Sequence, residues 1–139
     1  MFAAALDEDS SFAMAAYHYG RLATKRADIV SGFARALRLS ARATERERLS
    51  IRAGWAWTMS AAELGAVADT LVTRYPQETQ GHLFEGIARL QNGDFLDAVA
   101  PLQRVVTMDS VSFAGLDSVT ACDACDAMAQ LILVYELAD

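Results

Sequence analysis

The sequence predicts an all-α protein, and three observations support that fold class. Apolar residues recur at steps of three and four along most of the chain, as they do on one face of an α-helix. Good helix formers dominate the composition, with 27 alanines and 11 arginines but only two prolines among 139 residues. Short breaker sequences divide the periodic stretches into lengths typical of helices, and no stretch alternates with the period of two that a strand requires.

The clearest helices are predicted in the middle of the chain, from apolar runs within residues 64–72, 83–90 and 99–106. Asn92-Gly93-Asp94 separates the second run from the third. The glycine can adopt the left-handed conformation that ends a helix, and the aspartate can cap the next one. Residues 79–110 are therefore predicted to form a helix, a tight turn and a second helix.

These residues resemble a tetratricopeptide repeat (TPR), a helical hairpin of about 34 residues. Gly86 matches the small residue of the first helix, Gly93-Asp94-Phe95 the turn, and Ala98 the small residue of the second helix. One repeat length earlier, Pro76 stands where the family closes the preceding repeat. The resemblance implies TPR-like helical hairpins stacked in a right-handed superhelix.

The same resemblance sets the expected domain organisation, a single TPR-like domain over residues 1–139. Three hairpins are expected at 13–44, 45–78 and 79–112. Residues 1–12 correspond to the tail of a preceding repeat, and residues 113–139 to a partial repeat or capping helix. Because the last helix lacks a hairpin partner, we interpret the chain as a segment of a longer protein, similar to TPR regions of bacterial signalling proteins. The other interpretation is a complete small protein whose last helix caps it or dimerises.

Within the hairpins, apolar residues at helical spacing are predicted to face inward. Gly20 in the first hairpin occupies the position of Gly86, whereas Arg52 in the second stands where a small residue is expected, beside Ala53 and Gly54. The residues predicted to face inward are Ile29, Phe33, Ala36, Leu37, Ile51, Trp55, Leu64, Ala68, Leu71, Leu131, Val134 and Tyr135.

The resemblance implies a non-catalytic protein–protein interaction scaffold. TPR proteins bind peptides or partner helices in a concave groove that the first helix of each repeat lines. The alternative function is a sensor for a small apolar ligand beside Tyr17, Trp55 and Trp57. The partner-binding groove residues implied by the resemblance are Met14, Tyr17, Arg21, Leu49, Ala53, Gln80, Leu83, Ile87, Leu90 and Gln91.

One motif could carry chemistry, Cys122-Asp123-Ala124-Cys125 at the start of the last predicted helix. A helix N-terminus favours a reactive thiolate, but the neighbouring acids disfavour it and no strand supports a thioredoxin-like fold. A structural zinc site needs about four ligands, and only the distant His18 and His82 could join the two cysteines. Packing is therefore the preferred interpretation, ahead of a local disulfide or metal site, and catalysis comes last.

Enzyme motifs are missing from the sequence. It contains no glycine-rich phosphate loop, no Gly-x-Ser-x-Gly sequence and no His-Glu-x-x-His sequence. We therefore predict no catalytic residues, no cofactor and no metal.

The charge is unevenly distributed along the chain. A net charge of −6 argues against general nucleic-acid binding. Nine positive and three negative side chains lie from Arg21 to Arg52, whereas three positive and twelve negative side chains follow Arg52. Two interpretations remain, solvated and ion-paired helix faces or a basic site for an acidic partner segment.

The sequence also bears on location. The charge-free stretches are shorter than the ~18–20 residues of a membrane-spanning helix, and residues 1–6 are too short for a signal peptide. We predict a cytoplasmic protein with a protein or peptide partner, without nucleic-acid or membrane binding. The apolar residues 127–137 further predict self-association, as a homodimer through the C-terminal helix.

Overall fold

A computed structural model describes residues 10–108 and 122–138, and all of their regular structure is helical. The all-α class is confirmed. The elements are α1 (Ser10–Leu22), α2 (Arg26–Leu39), a 3-10 helix (Ser40–Arg42), α3 (Glu45–Thr58), α4 (Leu64–Arg74), α5 (Thr79–Gln91), α6 (Phe95–Met108) and α7 (Asp123–Ala138). Most of the predicted tail at 1–12 and the segment 109–121 lie outside the described residues.

The chain divides into two compact units, residues 1–61 and 62–139. The boundary falls inside the predicted 45–78 hairpin, so α3 belongs to the first unit and α4 to the second. The hairpin boundaries at 13–44, 45–78 and 79–112 remain predictions.

The first unit contains α1, α2 and α3, and each of these helices contacts the other two. Glycines permit the close approaches. A Cβ atom added to Gly32 would lie 2.6 Å from the Cα atom of Gly20, so α1 and α2 meet backbone to backbone. A Cβ atom on Gly54 would lie 2.5 Å from Cε1 of Phe33 and 2.9 Å from Cε2 of Tyr17. Gly54 therefore allows α3 to approach the aromatic rings of α1 and α2 closely.

A capping box starts α3. The Thr44 hydroxyl accepts a hydrogen bond from the backbone N–H of Glu47 at 3.2 Å, and the Thr44 N–H donates to Oε2 of Glu47 at 2.8 Å. These reciprocal bonds satisfy two backbone donors that a bare helix start would leave open. This cap was not predicted from the sequence.

The second unit contains α4 to α7, and α5 is its central helix. Helix α5 contacts α4, α6 and α7, and α6 also contacts α7. Gly86 lies against Leu102 of α6, where an added Cβ atom would be 2.5 Å from Cγ. The turn between α5 and α6 places Gly93 at φ 83°, which confirms the predicted left-handed glycine.

The predicted inward faces are confirmed at most positions. Ile29, Leu37 and Trp55 are half-buried, and Tyr135 is 55% exposed, so its inward assignment was wrong. The fully or almost fully buried positions are Phe33, Ala36, Ile51, Leu64, Ala68, Leu71, Leu131 and Val134.

Candidate interaction surface

The predicted groove residues of the first unit lie on α1 and α3, and two of the five are core residues. Tyr17 is fully buried, and its ring meets the edge of Phe33 with centroids 5.7 Å apart. The Arg21 guanidinium lies 5.8 Å from the centre of the same ring. Ala53 is also fully buried, whereas Met14, Arg21 and Leu49 are half-buried and partly accessible.

The predicted groove residues of the second unit all lie on α5. Leu83 and Ile87 are buried, because α4, α6 and α7 surround this helix. Gln80 and Leu90 are half-buried, and Gln91 is exposed. Gln80 already contacts α7, because its side-chain amide donates to Oδ1 of Asp123 at 3.4 Å.

The structure therefore separates the ten predicted groove residues into two groups. Tyr17, Ala53, Leu83 and Ile87 stabilise the packing inside their units, and a partner could reach them only if helices moved. In each unit, the accessible residues include both apolar side chains and side chains that can form hydrogen bonds. This accessible group is Met14, Arg21, Leu49, Gln80, Leu90 and Gln91.

An apolar surface on α7 was only partly foreseen. Ala124, Ala127, Leu131 and Val134 are buried, which leaves large apolar side chains on the remainder of the helix in solvent. Tyr135 retains one polar contact, since the Gln103 amide donates to its hydroxyl at 3.4 Å. We call the exposed set the α7 apolar surface, and it comprises Met128, Ile132, Leu133, Tyr135 and Leu137.

A basic surface lies on the first unit. The described residues of the first unit include nine Lys and Arg side chains and three Asp and Glu side chains. Seven of the cationic side chains are exposed. They are Lys25, Arg26, Arg38, Arg42, Arg46, Arg48 and Arg52.

The two cysteines form a disulfide, which was the second of the sequence interpretations and not the preferred one. The bond joins Cys122 to Cys125 across the first turn of α7. Asp123 between them is buried and accepts hydrogen bonds from the Thr79 hydroxyl and the Gln80 amide of α5. No local sequence signal reveals the contacts of Asp123 with Thr79 and Gln80, because these residues are more than 40 positions away in sequence.

A small polar cleft lies beside α4 and α5. It has a volume of about 180 Å³ and includes Asp69, Glu85, Arg89 and Asp94 in its lining. Arg89 lies 3.9 Å from Glu85, so part of the acidic charge is compensated within the cleft. Across residues 10–108 and 122–138, no group of three or more His, Cys, Asp or Glu side chains is placed to hold a metal ion.

The chain was compared with protein families, curated proteins and solved structures. No protein-family model, curated protein or solved structure matches the chain. Within the described ranges, every helix is too short or too polar to span a membrane.

Proposed function

We propose that the chain is a non-catalytic protein–protein interaction scaffold of the TPR type, within a larger bacterial signalling or regulatory protein of the cytoplasm. The order of helix contacts is the observation that supports it. Consecutive helices within each unit pack together, and contacts across one intervening helix join α1 to α3 and α5 to α7. Helices α1, α3 and α5 are the first helices of the predicted hairpins, and α7 lies in the predicted partial repeat or capping helix. TPR stacking brings the first helices of repeats side by side.

The proposed binding residues are the accessible ones on those helices. In the second unit, Leu90 supplies an apolar contact, and the Gln91 amide can donate to and accept from a peptide backbone. In the first unit, Met14 and Leu49 provide apolar contacts, and Arg21 adds charge. Met14, Arg21 and Leu49 are half-buried, so a bound peptide could cover the parts of these side chains that remain exposed.

The partner segment is proposed to be acidic. The first unit carries a surplus of cationic side chains, and several lie on α3, the helix that presents Leu49. Opposite charge on the partner would raise the association rate and make affinity fall with salt. Arg48 is exposed and offers a direct test of this contribution.

A peptide-display selection against the full chain tests the proposal. We expect selected peptides to be enriched in Asp and Glu and to bind more weakly as salt increases. The Leu90→Ala variant should weaken binding by about tenfold, a common loss for a central interface residue. Leu96→Ala is the matched control, because Leu96 is 78% exposed on α6, a second helix in the predicted hairpin.

Two results would contradict the proposal. One is a selection that yields no peptide with saturable binding to the full chain. The other is equal binding by the Leu90→Ala variant together with loss of binding by the Leu96→Ala variant. The alternative function, a sensor for a small apolar ligand, is less well supported. Tyr17, one of the residues expected beside the ligand, is packed in the core with no exposed surface.

The second part of the proposal is self-association, in which the α7 apolar surface binds another copy of this chain. From Ala127 to Leu137 the sequence carries one charged residue, Glu136, so two copies can approach with little repulsion. Met128, Ile132 and Tyr135 recur at steps of four and three on α7, and an exposed apolar stripe of this kind is typical of such interfaces. Sedimentation velocity should show a dimer that Ile132→Glu dissociates and Gln130→Glu retains, and a wild-type monomer at all concentrations would refute it.

A further inference from the structure

The turn that begins α7 contains a cysteine pair that the proposed interaction function does not use. Cys122 and Cys125 are joined by a disulfide, and both residues are half-buried. Neither residue is enclosed in the core of the second unit. Among the described residues, no cysteine is left as a free thiol.

The bond is poorly suited to a purely stabilising role. A disulfide restricts the unfolded chain more strongly when it closes a longer loop. Here the two cysteines are separated by three positions in sequence, which is the low end of that effect. Reversible chemistry accounts better for a partly exposed bond within a single helical turn.

The helix terminus distinguishes the two sulfur atoms. Cys122 stands at the N-cap position, because its carbonyl accepts the helical hydrogen bond from the Asp126 N–H at 3.1 Å. The Cys125 N–H donates to Sγ of Cys122 at 3.0 Å. This donor and the helix N-terminus would stabilise negative charge on that sulfur after reduction. Asp123 and Asp126 act against a thiolate at either position, but Cys122 has this N–H donor and is therefore the better nucleophile of the pair.

Asp123 connects the cysteine pair to the centre of the unit. Its carboxylate accepts from the Thr79 hydroxyl and from the Gln80 amide, the first two residues of α5. Ala124 follows it and is fully buried. A change in the backbone of residues 122–125 would thus be transmitted to the contact between α7 and α5.

We propose that Cys122 and Cys125 form a reversible redox site that exchanges with low-molecular-weight disulfides and sets how firmly α7 is held on α5. In oxidation, the Cys122 thiolate attacks a disulfide RSSR and releases one RS⁻. Cys125 then loses its proton, attacks Sγ of Cys122 and releases the second RS⁻. The protein gives up two electrons and two protons overall, and RSSR becomes two RSH.

Thiol trapping of the full chain tests the chemistry. The folded protein is equilibrated with mixtures of reduced and oxidised glutathione, and free thiols are alkylated and counted by mass spectrometry. We expect the oxidised fraction to follow the glutathione ratio and to be the same from either direction. A disulfide that forms or breaks only in denaturant, or never forms, would overturn the proposal.

Hydrogen exchange tests the coupling to α5. Reduction should make a peptide covering residues 122–130 exchange roughly tenfold faster, with a smaller increase in residues 77–87. Thr79→Val should retain the first response and reduce the second, because the Gln80 amide still donates to Asp123. Thr107→Val is the control in the same unit, because that hydroxyl donates to the Gln103 carbonyl at 3.1 Å, and it should retain both responses.

A double variant makes the result unambiguous. Cys122→Ser/Cys125→Ser should exchange at one rate under oxidising and reducing conditions, with the fold monitored by circular dichroism. Equal exchange of the oxidised and reduced wild type would show that the cysteine pair does not control the α7–α5 contact. An unchanged redox response in the double variant would exclude these two cysteines as its source.

Discussion

Gly86→Ala gives the sharpest test of how α5 and α6 pack. A Cβ atom at this position would lie 2.5 Å from both Cγ and Cδ2 of Leu102. Carbon atoms pack favourably at about 3.5–4.0 Å, so the two helices must separate by roughly 1 Å or Leu102 must move. Leu102 is fully buried, and Cγ is only two bonds from Cα, so it has little room to move.

Two terms of opposite sign set the expected size of the effect. Overpacking a filled core costs about 1–3 kcal/mol. Replacing a glycine inside a helix with alanine stabilises the folded state by about 1 kcal/mol, because alanine has the higher helix propensity. Because the steric conflict involves a fully buried side chain, we expect a net loss of about 1–2 kcal/mol for Gly86→Ala.

Gly65→Ala isolates the packing term. Gly65 is exposed in α4 of the same unit, and its added Cβ would meet nothing closer than the Cβ of Ala88 at 4.0 Å. Alanine there should be neutral or stabilising by up to about 1 kcal/mol. The same substitution therefore has opposite signs at the two sites.

Urea unfolding followed by circular dichroism measures both variants, and thermal unfolding provides a second estimate. For a small domain, each kcal/mol shifts the melting temperature by roughly 4–8 °C. Gly86→Ala should unfold at a lower urea concentration than wild type, and Gly65→Ala should not. If Gly86→Ala were as stable as Gly65→Ala, the close contact with Leu102 and the repeat register at Gly86 would both be wrong.

Two further predictions concern single helices. Thr44→Ala should destabilise the first unit by about 1 kcal/mol, because it removes the hydroxyl that caps α3. The control in urea unfolding is Thr58→Ala, whose hydroxyl only donates back to the Gly54 carbonyl, and an equal loss in both variants would refute the capping argument. Pro101 lies inside α6, where it removes a helical hydrogen bond, so Pro101→Ala should stabilise the second unit by up to about 3 kcal/mol. A lower melting temperature for Pro101→Ala would show that the proline ring contributes more through packing than it costs the helix.

Helical periodicity predicted where the helices lie, but not every face that they bury. Leu64, Ala68 and Leu71 share one face of α4, and all three are buried as expected. On α7 the apolar residues surround most of the helix, so spacing alone cannot select the covered side. Tyr135 was therefore assigned to the core although it lies on the exposed side.

The accessibility of the predicted groove residues could not be predicted, because it depends on helices that are distant in sequence. Leu83 and Leu90 share the helical spacing of α5, yet Leu83 is fully buried and Leu90 is half-buried. The difference follows the burial along α5, which is buried at residues 81–84 and 86–88 but not at its last residues, 89–91. A local pattern identifies an apolar face, and only the assembled unit determines how much of that face stays accessible.

Polar contacts between residues close in sequence can be predicted from the sequence, whereas those between distant residues cannot. The Thr44–Glu47 capping box spans three positions, so its sequence signature could be found without a structure. The Thr79–Asp123 bond joins two helices through residues that are individually common and far apart in sequence. Breaking the first should weaken one helix start, whereas breaking the second should alter how two helices meet. Since the proposed redox site acts through the second kind of contact, a response at α5 to reduction of the cysteines tests for coupling that no local pattern could reveal.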